Sequence, residues 1–281
     1  MDFISPAMIK RIAADYDFKF KKGLGQNFLS SQAVLEEIAD AAKIDGGNVI
    51  EIGPGFGVLT NELAKQAKKV VALEIDESLI PILADTLSEY DNVTVINRDI
   101  MKTDISDIIE KEFNGERVSI AANLPYYITT PIITAVLEAK LPIDNFVVMV
   151  QKEVALRLGA KEGTKDYGAI SVLCRYYTEP EIICTVPAGL FVPAPKVDSA
   201  VLKMKFRSEP AVKVKDEKLF FKAVKAAFSQ RRKTLLNCLA ANFNMSKFEL
   251  ADIMRSAGID PGRRGETLSL EEFARLADSL T

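Results

Sequence analysis

The residues best suited to chemistry in this 281-residue chain lie in short stretches that each follow an apolar run. NLPYYITTP, Asn123 to Pro131, leaves the run VSIAA through an amide, a proline and two tyrosines. A loop that only has to turn more usually uses Gly, Asp or Ser, so this composition asks for a flat ligand. EIGPGFG places Gly53, Gly55 and Gly57 after another apolar run. Positions without side chains let backbone approach a ligand at the carboxyl edge of an open α/β sheet, where nucleotides usually bind. Twenty-one residues past Gly53, Glu74 closes VALE, placed to accept both hydroxyls of a ribose. Asp99, in NRDIM, is similarly placed to accept from an adenine amino group.

The glycine spacing is G-x-G-x-G, which disfavours the dinucleotide pattern G-x-G-x-x-G, and there is no Gly-Lys-Ser/Thr phosphate loop. With Glu74 and Asp99 it favours S-adenosylmethionine, whose methionine portion carries no phosphate. Asn123 then arrives beside a methyl donor. An adenine amine is a poor nucleophile because its lone pair is delocalised into the ring. If the Asn123 side-chain oxygen and the Leu124 carbonyl accept its two N–H groups, the amine can pyramidalise and aim that lone pair. Pro125 keeps the loop rigid and Tyr126 offers a stacking face. Flipping a base costs a few kcal/mol and each aromatic contact returns roughly 1–3 kcal/mol, so a second face is wanted; Phe191, in FVPAP, is the residue expected to supply it. A methylated aminium is acidic enough to lose its proton to water, so the absence of histidine is no obstacle. Each feature also has a reading without a ligand. The glycines would make a turn, Glu74 and Asp99 a helix cap or a surface acid, and NLPY a rigid turn before a helix capped by Thr129 or Thr130.

The elements that must position these residues are legible as alternating periods. NVIEIG (48–53), VVALEI (70–75), VTVIN (93–97), VSIAAN (118–123) and FVVMVQ (146–151) read as buried strands. VLTNELAKQA, ESLIPILADTLSEY and TPIITAVLEAK read as helices between them. The alternation predicts an α/β fold, a mostly parallel sheet built from right-handed crossovers. EIICTVP (181–187) and SAVLKMKF (199–206) are joined by too short a loop for a crossover and are expected as an antiparallel pair at the sheet edge. After Arg207 a polar linker leads into helical segments around 217–229, 232–242, 246–256 and 270–279. A larger domain, 1–207 with a polar, basic N-terminal arm, and a small all-helical domain, 208–281, are expected.

Composition is that of a globular protein, 48% hydrophobic and 27% charged. The first thirty residues lack the apolar stretch of a signal peptide and no run is long enough for a membrane span, so a cytoplasmic, non-membrane protein is expected. The three cysteines show no C-x-x-C spacing, and with no histidine neither a disulfide framework nor a metal site is expected. Net charge is −3, yet Lys203 to Lys233 holds eleven basic residues against three acids, a local +8. That run reads either as a polyphosphate contact or as a solvated linker and helix face.

GLGQNFL (23–29), EIGPGFGVLT (51–60), ALEID (72–76), NRD (97–99), NLPYYITTP (123–131), FVPAPKVDSAV (191–201) and AAFSQRRKTLLNCL (226–239) resemble, in order, the motifs of the ribosomal RNA adenine N6-dimethyltransferases, and most the bacterial group acting on 16S rRNA. The resemblance implies a Rossmann-like methyltransferase sheet with a small helical domain. It implies transfer of four methyl groups from S-adenosylmethionine to two adjacent adenosines near the 3′ end of 16S rRNA in the assembling 30S subunit. It places Asn27, Leu29, Gly53, Gly55, Glu74, Asp99 and Asn123 around the cofactor, with Tyr126 and Phe191 on the flipped adenine and Leu124 and Pro125 in the catalytic loop between them. Lys21, Lys22, Lys222, Lys225, Arg231, Arg232 and Lys233 would meet rRNA phosphates, the last three on a QRRK helix. The motif departs from many relatives at Tyr127, where they carry Asn. Gln26 belongs to the matched motif without a role of its own. A 23S rRNA methyltransferase of the macrolide-resistance type and a ribosome-assembly binding factor are the alternatives. A DNA adenine methyltransferase fits less well, since its N/D-P-P-Y signature has Pro in place of Leu124. A monomer is the default expectation.

Overall fold

A computed structural model describes residues 5–43 and 46–281, and the side chain of Lys22 lies outside that description. Two compact units emerge, Met1–Ala155 with Glu181–Phe206, and Leu156–Pro180 with Arg207–Thr281.

The strands in chain order are β1 Phe28–Leu29, β2 Asn48–Ile52, β3 Lys69–Glu74, β4 Val93–Asn97, β5 Val118–Asn123, β6 Ile143–Gln151, β7 Thr178–Val186, β8 Phe191–Val192 and β9 Ser199–Phe206. Seven of them form one sheet in the order β4-β3-β2-β5-β6-β9-β7. The pairs β2/β3, β3/β4, β2/β5 and β5/β6 are parallel, and β9 runs antiparallel to β6. Helices Val58–Gln66, Ile80–Thr86, Ile105–Phe113 and Thr129–Glu138 make the crossovers. The chain winds outward from β2 to β3 and β4, then returns to lay β5 and β6 on the other side. The switch therefore falls between the carboxyl ends of β2 and β5, where open α/β sheets carry their ligands. β2 is buried along its whole length, as a central parallel strand covered on both faces must be.

Where the structure departs from the sequence reading, local chemistry explains it. The N-terminal arm, read as polar, contains helix Pro6–Asp15: Ser5 accepts the Met8 N–H, Pro6 opens the helix, and Ile9, Ile12 and Ala13 are its buried face. ESLIPILADTLSEY splits into a 3₁₀ turn, Glu77–Leu79, capped by Asp76, and helix Ile80–Thr86. Helices Gln32–Ala42, Ile105–Phe113, Lys152–Gly159 and Ala169–Tyr177 were not expected. Residues 156–180, placed by the sequence reading in the first domain, belong to the second unit's core, with Tyr176 packed on Phe220 at 5.0 Å between ring centroids. That unit is built on helices Glu217–Ala227, Leu235–Ala240, Lys247–Ser256 and Leu270–Ser279. Asp216, Thr234, Ser246 and Ser269 cap them. The QRRK residues are a turn rather than a helix: the Lys233 N–H donates to the Gln230 carbonyl at 3.0 Å. Among the described residues no helix is long and apolar enough to cross a membrane.

Candidate active site

A pocket opens at the switch point, walled by the glycine loop, the arm from Leu24 to Leu29, and the loop from Asn123 to Tyr127. Gly53 has φ +72°, and a Cβ placed on it would meet nothing within 4 Å, so its backbone borders open space. Gly55, at φ +61°, lies so close to the Phe28 ring that a Cβ would sit 2.7 Å from it. The glycines thus serve two ends: one leaves room for a ligand, the other lets the arm close over the loop.

Two acids face the pocket. Glu74 ends β3 and is 4% exposed. Its Oε2 accepts the Gly55 N–H at 3.2 Å and its Oε1 the Asp76 N–H at 2.8 Å. Burial raises its pKa, which these backbone N–H groups partly offset. It is neither a cap nor a surface acid. Glu51, within β2, was given no role by sequence. It is 1% exposed and lines the pocket, and its Oε2 has no hydrogen-bond partner, nor does the buried Thr60 hydroxyl. Burial pushes its carboxyl up to about 8, with the nearby Thr60 opposing and the Glu74 charge adding. The available signal was a carboxylate inside a strand that reads as buried on both faces, which is costly without a partner.

Asn123 ends β5, and its Nδ2 donates to the Asn27 carbonyl at 3.1 Å. That bond sets the amide's direction, with Oδ1 at the opposite end as acceptor. The Leu124 N–H is tied to Met149 on β6 at 3.1 Å. The Pro125 carbonyl accepts both the Ile128 N–H at 3.2 Å and the Thr129 hydroxyl at 3.0 Å. Thr129 therefore braces the loop, and the helix behind it starts without a side-chain cap, so the ligand-free alternative of a turn capped by Thr129 or Thr130 is not what forms. Tyr126 is held at its hydroxyl by Ser199 of β9, 2.7 Å away, a partner the sequence reading missed. Tyr127 also lines the pocket and is 58% exposed.

Asn27, Leu29, Gly53, Gly55, Glu74 and Asn123 are brought together around this cavity, as are Leu124, Pro125 and Tyr126. Phe191 is not. Pairing of β8 with β1 sets Leu29 opposite Phe191, whose ring is 4% exposed in a core with Leu29, Val186 and Val201. Asp99 is also outside the lining: its Oδ1 caps a 3₁₀ turn through the Met101 N–H at 2.9 Å, and Oδ2 lies 3.7 Å from Lys102 Nζ. The basic run is not one patch. Lys203 is 7% exposed within β9, Arg207 pairs with Glu179 at 3.0 Å and Lys213 with Glu209 at 3.2 Å. Lys225, Arg232 and Lys233 are exposed, Lys222 lies over the Phe243 ring at 4.5 Å, and Arg231 reaches the Lys165 carbonyl at 3.5 Å. Lys21 is committed to Asp76, with Nζ to Oδ1 at 2.6 Å, and the Lys22 side chain falls outside the described residues.

Comparison with known proteins is consistent with this geometry. The model of the family described as ribosomal RNA adenine dimethylase matches residues 17–281. A protein of Bacillus cytotoxicus named ribosomal RNA small subunit methyltransferase A is 54% identical over 284 residues, covering 99% of this chain and 97% of its own length. A Bacillus mycoides protein of the same name is also 54% identical over 99% of this chain and 97% of its own. Among solved structures, the 23S rRNA methyltransferase ErmE is 28% identical with a TM-score of 0.70, over 90% of this chain and 99% of that one. A dimethyladenosine transferase from Plasmodium falciparum is 26% identical with a TM-score of 0.73, over 89% and 95%.

Proposed function

The chain belongs to the ribosomal RNA adenine dimethylase family and is a ribosomal RNA methyltransferase, and we propose that it dimethylates the N6 amines of two adjacent adenosines near the 3′ end of 16S rRNA, with S-adenosylmethionine as donor. The single observation that carries the reading is the Asn123 amide, held by Asn27 at the switch point with its acceptor end free to meet an amine. The residues present fit the donor. The orphaned Glu51 Oε2 supplies a partner for an ammonium group, Glu74 for ribose hydroxyls, and the open space at Gly53 admits the methionine portion beside backbone. Bound there, S-adenosylmethionine would supply an activated methyl group.

The chain's own part is orientation. Asn123 Oδ1 and the Leu124 carbonyl accept the two amine hydrogens, turning the nitrogen lone pair out of the ring plane. Pro125, braced by Thr129, keeps these acceptors fixed, and the Tyr126 ring, pinned through Ser199, is the surface on which the base stacks. The proton of the methylated nitrogen leaves to water, so no imidazole is needed. Phe191 would have to leave its core site to form a second face, whereas Asp99 can keep its cap through Oδ1 and offer Oδ2 to an adenine amine. Lys22, Lys222, Lys225, Arg231, Arg232 and Lys233 remain the proposed phosphate contacts, on an rRNA carried by the 30S subunit or its precursor, with the enzyme acting as a monomer in the cytoplasm where subunits assemble.

The 54% identity over nearly full length to proteins named for the small subunit, against 28% to the 23S enzyme, supports the 16S target. The test is transfer of labelled methyl groups into 30S subunits from cells lacking the modification, with the nucleoside mapped by mass spectrometry. Dimethyladenosine at two adjacent positions near the 16S 3′ end is expected. Label in naked 23S rRNA alone would move the target to the large subunit, and no label in either would leave a binding factor.

A further inference from the structure

Two side chains of the N-terminal arm beside the pocket converge on one carboxylate. Asp76, two residues beyond β3, is 2% exposed. Its Oδ1 accepts from Lys21 Nζ at 2.6 Å and from the Ser78 N–H at 3.0 Å, and the Ser78 hydroxyl donates to it at 2.5 Å. Its Oδ2 accepts from Gln26 Nε2 at 2.8 Å. Gln26 Oε1 turns back to accept the Lys21 N–H at 2.7 Å, closing a ring of bonds across the arm. The Gln26 amide donates to the carboxylate and accepts from the backbone N–H at once, which neither an ionised carboxylate nor an ammonium at position 26 could do. A buried carboxylate is tolerable when it is met by donors in this way.

The same residue reaches both halves of the site. The Asp76 backbone N–H donates to Glu74 Oε1 at 2.8 Å, and the arm it fastens presents the Asn27 carbonyl to Asn123 Nδ2 at 3.1 Å. One residue before Gln26, Gly25 packs so that a Cβ would lie 3.4 Å from Pro125 and 3.5 Å from the Tyr127 ring. The geometry points to Asp76 as a positioning residue for methyl transfer, latching the arm through Gln26 and Lys21 so that the ribose acid and the acceptor amide are set in place together. This rests on the pocket being the S-adenosylmethionine site. The latch makes donor binding and amine orientation depend on one buried contact rather than on two independent ones.

The test compares the full-length protein with Asp76→Asn, Gln26→Glu and the double variant, in which amide and carboxylate exchange places and the hydrogen bond is restored in the opposite direction. Three quantities are read: hydrogen exchange of the arm amides in the free protein, affinity for S-adenosylhomocysteine by calorimetry, and KM and kcat with 30S subunits. Asp76→Asn sets amide against amide and Gln26→Glu sets carboxylate against carboxylate. Each is expected to speed exchange across residues 20–29, to weaken S-adenosylhomocysteine binding about tenfold, the loss of one charge-assisted bond, and to lower kcat without changing KM for the subunit. The double variant is expected to recover to within about threefold of the parent. A double variant no better than the worse single variant, or single variants with parental arm exchange and affinity, would overturn the latch. A shared thermal midpoint across the set shows that the fold is intact. If the parent protein bound no S-adenosylhomocysteine, the donor-site reading would fail, while arm exchange in the free protein would still decide whether the latch exists.

Discussion

Asn123 and Glu51 carry opposite lessons, since the first was read from a motif and the second from an unmet bond. Replacing Asn123 by Ala removes the acceptor proposed to act at the reacting nitrogen and leaves the loop's brace at Pro125 and Thr129 in place. Single-turnover methylation is expected to slow by about 10²–10³-fold, the usual cost of losing a preorganised group at the site of charge development, with binding to the subunit nearly intact; equal loss of both would refute the role. Glu51 predicts a pH dependence. Its carboxyl sits near 8 in the folded protein, raised by burial, with Thr60 opposing and Glu74 adding. The folded state therefore holds a proton that the unfolded chain releases near the ordinary carboxylate range. Between those two values the native state binds more protons, so this group's contribution to stability falls as pH rises, by at most about 1.4 kcal/mol per pH unit. Thermal scans from pH 5 to 8 are expected to show a slope that Glu51→Gln flattens, with the variant the more stable at pH 8. In the same variant, calorimetry of S-adenosylhomocysteine is expected to lose both affinity and the proton release seen in buffers of differing ionisation enthalpy.

At the scale of elements, the turn at residues 230–233 and the glycine at 265 are the sharpest cases. The sequence places Arg231, Arg232 and Lys233 on a helix, but Gln230 closes a turn between helices Glu217–Ala227 and Leu235–Ala240, presenting three exposed cations on a short segment. If they meet rRNA phosphates, Arg231→Ala with Arg232→Ala lowers the slope of log affinity against log salt by about 1.4 to 1.8, the share of two phosphate contacts; an unchanged slope would return them to a solvated face. Gly265 sits where a Cβ would lie 2.7 Å from the Ala227 carbonyl oxygen, a backbone atom that cannot swing aside. Gly265→Ala is expected to destabilise the helical unit by about 1–3 kcal/mol in denaturant unfolding. Nothing in the period of the sequence marks this glycine, because the clash is with a residue 38 positions earlier.

Across the whole molecule, each unit has its own buried core, one around Ile38, Val49 and Leu63 and another around Phe220, Leu239 and Phe273. The pocket is lined by residues of the first unit, so S-adenosylhomocysteine at a hundredfold excess over its dissociation constant should add about 2.7 kcal/mol to that unit, read as slower amide exchange in the arm, β2, β3 and β5. By itself the sequence determined the parallel sheet, three of its four crossover helices and the ends of strands on which Gly53, Glu74 and Asn123 stand. Hydrophobic period and strand-to-helix alternation are properties of neighbouring residues, and parallel pairing then brings all carboxyl ends to one edge. The tertiary structure alone decided the rest. Phe191 is buried where β8 pairs with β1, and Asp99 caps a local turn through one of its two carboxylate oxygens. The arm's latch joins Gln26 to Asp76 across 50 residues, and Asn27 holds Asn123 across 96. Bonds over such separations leave no period in the chain, and they form only after the sheet has brought its distant segments to the same edge.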